Sequence, residues 1–198
     1  MFFAMVASAA GAAVAVPTIE LNNGVQMPRL AISLPKTAPE AAANIKDAFE
    51  TGVTHFVTAN DYLNQQAVGQ GLKSLGVSRD KYFLTTMTSP CQCNQMFGNR
   101  TACKRNITDL SECAATTKKE ILSDIEQLNM SYVDLILLHG PNEVAGHDGG
   151  CGPEACAANL AQWQVYTELY KAGKARAIGV GNFCPSCFDC LLAKADTV

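Results

Sequence analysis

The chain reads as an α/β protein built on a parallel sheet. Three observations predict this. Short apolar runs alternate with helical patterns five times. Three of the helical patterns close at a glycine, namely Gly52, Gly76 and Gly173. Residues 133–138 form a nearly unbroken apolar run, as a strand buried on both faces requires.

The elements follow in order. Residues 18–27 alternate around Asn23-Gly24, a hairpin signal. A short strand is expected over 30–34. A helix follows over 39–51, with Ala43, Ala48 and Phe49 on its apolar side. His55-Phe56-Val57 is a strand, 67–75 a helix and 81–87 a strand. A helix over 117–128 carries Ile121, Ile125 and Leu128 at helical spacing. After the strand at 133–138 come a helix over 160–170, a strand over 177–180 and a helix over 188–195. Two insertions, 88–115 and 142–158, interrupt the rhythm after strand C-terminal ends, and loops of this length are commonly functional.

The 198 residues are 48% hydrophobic and 17% charged, with a net charge of -3. That suits a globular domain with a real core. The charge has the wrong sign for a nucleic-acid binder, and no Lys/Arg cluster offsets it. Residues 1–16 carry no charge and end in Ala13-Val14-Ala15, like the apolar core of a signal peptide without its basic start. They are expected to be a leader or a docking segment.

Nine cysteines cluster at 91, 93, 103 and 113, at 151 and 156, and at 184, 187 and 190. Such clustering predicts disulfides and an oxidising compartment, either the secretory pathway or an organelle lumen such as the thylakoid lumen. The first group suggests two local bridges, and Gly152-Pro153 offers a turn to join Cys151 to Cys156. Cys184-x-x-Cys187-x-x-Cys190 admits disulfides, a redox pair at a helix N-terminus or part of a metal site. No fourth ligand has suitable spacing, so disulfides lead and no metal is expected. Sequons at Asn99, Asn106 and Asn129 fit a secretory route.

Four stretches carry a resemblance. His55-Phe56-Val57-Thr58-Ala59-Asn60-Asp61-Tyr62 resembles H-F-D-T-A-x-x-Y. The run from Tyr132 to Pro141 resembles Y-V-D-L-x-L-I-H-W-P. Residues 173–183 resemble G-K-V-R-A-I-G-V-S-N-F, and residues 18–28 resemble a hairpin that plugs a barrel's bottom. Together they resemble the aldo-keto reductases. The resemblance implies a (β/α)8 barrel of that type, incomplete here, with about five βα units plus the N-terminal hairpin over residues 17–198.

The family's chemistry implies four residues: a Tyr acid, a Lys that activates it, an Asp paired with the Lys, and a His that orients the carbonyl. Tyr62 and His139 match. Val57 stands at the Asp position and Met87 at the Lys position. Removing both members of a buried ion pair can be neutral, whereas removing one leaves a stranded charge. Without its cation, Tyr62 loses the neighbour that makes it an effective acid near neutral pH. Of the cofactor elements, Asn182 remains. Gly181 replaces a serine, Leu63 replaces a glycine, and 31–34 lack the usual glycine turn.

The expected function is therefore a non-catalytic scaffold or accessory subunit. It would need no cofactor and would dock on other protein chains, those of a membrane-associated complex among them. The alternative is an NADPH-dependent carbonyl oxidoreductase acting on a small aldehyde or ketone. His139 is read first as a hydrogen-bonded core residue, His55 as packing, and His147 as without a role.

Overall fold

A computed structural model of the chain describes residues 16–34, 38–92, 106–142 and 151–195. The apolar segment at the N-terminus, Cys93, Cys103, Asn99 and His147 lie outside the described residues.

An antiparallel hairpin, β1 (Thr18–Glu20) and β2 (Gln26–Pro28), opens the fold. Five parallel strands follow: β3 (Ala31–Ser33), β4 (His55–Val57), β5 (Phe83–Thr88), β6 (Val133–Leu138) and β7 (Ala175–Val180). They are hydrogen-bonded in chain order, β3-β4-β5-β6-β7, so every crossover steps one strand in the same direction. This is the topology of a (β/α) barrel wall. The helices are α1 (Ala38–Glu50), α2 (Gln65–Ser74), α3 (Leu110–Gln127), α4 (Pro153–Lys171) and α5 (Pro185–Lys194). Among the described residues, no helix is long and apolar enough to cross a membrane.

The period-2 alternation of strands separates two faces. Phe56, Leu84, Ile136 and Leu138 point outward and form the main core with Ile45, Val68, Leu72, Ile121, Val165 and Tyr166 from the helices. Phe83, Leu135 and Ala177 point inward, where Leu21, Val25 and Met27 of the hairpin cover them. The Asn23 side chain donates to the Arg176 carbonyl at 2.8 Å, tying the hairpin to β7. The hairpin thus covers the N-terminal ends of the strands, as expected.

Several boundaries differ from expectation, each for a local reason. α3 begins at Leu110 rather than 117, because Asp109 accepts the Glu112 N–H at 2.8 Å and caps the helix. α4 begins at Pro153 rather than 160, with proline in its first turn, where its missing N–H costs nothing. Both insertions are shorter than expected, and Cys113 and Cys156 lie in helices. Cys156 consequently pairs with Cys190 and not with Cys151, and Cys91 pairs with Cys113. On α1 the buried face is Ala41, Ile45 and Ala48, whereas Ala43 is exposed.

Asp134 sits inside the core of the sheet, with its side chain 1% exposed. Oδ2 accepts from Arg79 at 2.5 Å and from the Leu84 N–H at 2.8 Å, and Oδ1 accepts from Arg176 at 2.8 Å. Arg79 in turn lies over the rings of Tyr82 and Tyr132, at 4.8 and 4.4 Å. Replacing Asp134 by Ala strands the largely buried Arg79 guanidinium and a buried N–H. The expected loss is about 3–5 kcal/mol, read by urea denaturation. Arg176→Met, whose guanidinium is half exposed, is expected to cost clearly less in the same assay.

Candidate active site

The C-terminal ends of the strands bring the sequence-predicted residues together. β4 ends at Val57, and the chain turns through a 3-10 segment, Asn60–Tyr62, stabilised by the Tyr62 N–H donating to the Ala59 carbonyl at 2.9 Å. Leu63 then takes a left-handed conformation, φ 54°, at the position where the family pattern has glycine. This turn aims Tyr62 across the sheet. β6 ends at Leu138, and His139 follows it directly, 7% exposed. Its N–H donates to the Thr88 carbonyl at 2.9 Å, which fixes its place beside β5.

Tyr62 and His139 meet edge to face, with ring centroids 5.7 Å apart. Asn182, just past β7, has φ 58°, and its amide donates to the His139 carbonyl at 2.6 Å. Val57 and Met87 share the inward face of neighbouring strands. Val57 is paired with Thr85, which places Met87 on the diagonal. Met87 is 8% exposed, so the position of the family cation is filled by a buried thioether.

One participant was not singled out in the sequence. Asp61 accepts from His139 Nδ1 at 3.1 Å. An ionised carboxylate only accepts, so the proton on that edge belongs to the ring. The tautomer and tilt of His139 are thereby set by the residue next to Tyr62. Adjacency to Tyr62 was the available signal, but one aspartate beside a motif carries little information alone.

Behind the turn lies a second carboxyl, Asp124 of α3, fully buried. It accepts from Asn60 Nδ2 at 2.9 Å and from the Thr86 hydroxyl at 2.8 Å. Burial pushes its pKa up to about 6, and the nearby Asp61 charge adds to the rise, while those hydrogen bonds oppose it. Farther along β5, the Thr88 hydroxyl and the buried Tyr166 hydroxyl are hydrogen-bonded. His55 is structural, as expected. Nδ1 donates to the Pro28 carbonyl at 3.1 Å, Nε2 accepts from Thr85 at 2.8 Å, and burial lowers its pKa. Among the described residues, no group of three or more His, Cys, Asp or Glu side chains is arranged to hold a metal ion.

A phenol, an imidazole and an asparagine amide thus gather at the C-terminal ends of the parallel strands. Residues 28–195 match the model of the aldo/keto reductase family. The chain belongs to the aldo/keto reductase family. It is 32% identical over 183 residues to morphine 6-dehydrogenase of Pseudomonas putida, covering 92% of this chain and 52% of that protein. It is 30% identical over 168 residues to glyoxal reductase of Bacillus subtilis, covering 84% and 49%. The chain spans about half the length of the curated relatives it matches. An aldo/keto reductase from Brucella melitensis superposes with a TM-score of 0.73 at 24% identity, covering 92% of this chain and 60% of that one. A Bombyx mori aldo-keto reductase solved with NADP gives 0.71 at 23% identity, covering 93% and 56%. The partial barrel expected from the sequence is thus the fold observed.

Asp124 makes stability depend on pH with a definite sign. Its folded pKa, about 6, lies above the ordinary carboxyl value of 3.8, so between these the folded state holds a proton that the unfolded chain has released. This contribution falls as pH rises from roughly 4 to 6, by about 3 kcal/mol in all, and is flat above. Asp124→Asn keeps a polar group at the site without the charge. Urea denaturation at pH 4.5 and 7.5 is expected to show the variant gaining on the wild type at the higher pH.

Proposed function

We propose that this chain carries the carbonyl-binding site of an NADPH-dependent oxidoreductase acting on a small aldehyde or ketone, with a weakened proton donor. The observation that carries the reading is the convergence of Tyr62, His139 and Asn182, drawn from the ends of three different strand regions onto one face. The relatives' names as dehydrogenase and reductase support it.

Asn182 fits the carboxamide end of a nicotinamide. Its Nδ2 is committed to the His139 carbonyl, which orients the amide plane, and the residue is exposed at the strand end. Bound NADPH would supply the hydride. The chain's own groups do the rest. The Tyr62 hydroxyl donates to the carbonyl oxygen, His139 orients that oxygen, and Asp61 holds His139. With Met87 in place of a cation, the phenol proton is harder to transfer, so slow turnover is expected.

A second reading follows from one specific observation. The apolar pair Val57 and Met87 removes the charge couple without stranding either member. On that reading the protein is a non-catalytic scaffold or accessory subunit, bound to other chains of a membrane-associated assembly and needing no cofactor. Both readings place the protein in an oxidising compartment, a reading supported by its two disulfides among the described residues.

Nicotinamide fluorescence on titration with NADPH separates the two. Micromolar binding with slow reduction of a simple aldehyde is expected, and Tyr62→Phe should reduce kcat at least tenfold. A folded protein that leaves NADPH fluorescence unchanged would favour the scaffold. Restoring both charges, Val57→Asp with Met87→Lys, is expected to raise kcat by roughly two orders of magnitude, the scale of general acid catalysis. Met87→Lys alone should lower thermal stability, because it buries an uncompensated cation.

A further inference from the structure

Three thiols outside the carbonyl site gather at the N-terminus of α5. Cys184 is the N-cap residue and Pro185 opens the helix. Cys184 and Cys187 are hydrogen-bonded through their sulfurs, 2.9 Å apart. The Cys187 and Phe188 N–H groups both donate to the Cys184 carbonyl, at 3.1 and 3.0 Å, which folds the C-x-x-C segment into one tight turn. Cys190, one turn on, is already bonded to Cys156 of α4. That bridge clamps α5 to α4 and removes Cys190 from competition.

We propose that Cys184 and Cys187 form a thiol–disulfide exchange site, with Cys184 the attacking thiol and Cys187 the resolving one. The pair is asymmetric in the way exchange requires. Cys184 is half-buried and reachable, whereas Cys187 is 1% exposed. Burial pushes the Cys184 thiol up, but hydrogen bonds from Cys187, Ser186 and the helix-end backbone outweigh it, so its pKa falls below the ordinary thiol value. The Ser186 hydroxyl lies 3.4 Å from its sulfur. Burial pushes the Cys187 thiol up, and the neighbouring Cys151 and Cys184 push it further. Cys151 is the remaining thiol. Its sulfur accepts from Asn159 Nδ2 at 3.1 Å, and its N–H donates to the Ser186 hydroxyl at 3.2 Å.

The substrate class is a small, solvent-borne disulfide, RSSR, of the glutathione disulfide kind. The Cys184 thiolate attacks one sulfur, forming the Cys184–SR bond and breaking R–S–S–R. The departing RS⁻ takes up the proton that Cys184 released. Cys187 then loses its proton and attacks the Cys184 sulfur, expelling the second RS⁻, which is protonated to RSH. The two protein thiols are oxidised by two electrons, and one disulfide is reduced to two thiols.

The test uses the purified full chain equilibrated across a series of reduced and oxidised glutathione mixtures. Samples are quenched in acid, alkylated and mapped as peptides. Cys184 and Cys187 are expected to convert together, and reversibly, to one intramolecular disulfide, with the Cys91–Cys113 and Cys156–Cys190 bridges intact. Cys187→Ser should accumulate a glutathione adduct on Cys184, Cys184→Ser should form none, and Cys151→Ser should leave the conversion unchanged. At pH 7, iodoacetamide should modify Cys184 at least ten times faster than Cys187. A Cys151–Cys187 bond, no conversion anywhere in the series, or equal alkylation of the two thiols would overturn the assignment.

Discussion

Asp134 holds three strands at once. It reaches back to Arg79 before β5, forward to Arg176 on β7, and sideways to the Leu84 N–H. A buried carboxylate is tolerable only when its charge is matched and its lone pairs are used, and here both conditions hold. Because a one-residue slip would turn every side chain to the opposite face, this fixed point also decides which residues face inward. Met87, Leu137 and Gly179 stand at the upper end of the inner face because Asp134 fixes the lower end. A Cβ at Gly179 would come within 2.9 Å of the tip of the Leu137 side chain, which would have to shift.

The site sits at the opposite end of the strands and is assembled by different means. Tyr62 is placed by a single tight turn, His139 by a backbone bond to β5, and Asn182 by a left-handed residue beyond β7. None of these placements depends on the missing Asp and Lys. That independence explains how Tyr62, His139 and Asn182 come together although Val57 and Met87 stand at the Asp and Lys positions. Asp61 meanwhile sets a carboxylate 3.1 Å from the His139 imidazole, so the site keeps a charged side chain of its own.

Much of the fold was legible because the alternation of short strands and glycine-closed helices is strong and local. The hairpin, the strand at 55–57 and the strand at 133–138 fall where the pattern put them. The starts of α3 and α4 were not found, although both had signals. Asp109-Leu110-Ser111-Glu112 is a capping pattern, and Gly152-Pro153 is a helix opening rather than only a turn. The cysteine partners were illegible for a different reason. Cys156 and Cys190 are brought together by the packing of α4 on α5, a tertiary fact without a local trace. Asp124 was likewise invisible, since a carboxylate on an amphipathic helix reads as solvated until the turn at 60–62 is known to cover it.

The side-chain bond from Asn23 to the Arg176 carbonyl joins positions 153 residues apart. During ribosomal synthesis the hairpin emerges early, yet the surface it covers, Phe83, Leu135 and Ala177, is complete only once β7 has been made. Until then its apolar residues Leu21, Val25 and Met27 have no finished seat. In the growing chain these apolar residues stay uncovered until Ala177 has been added.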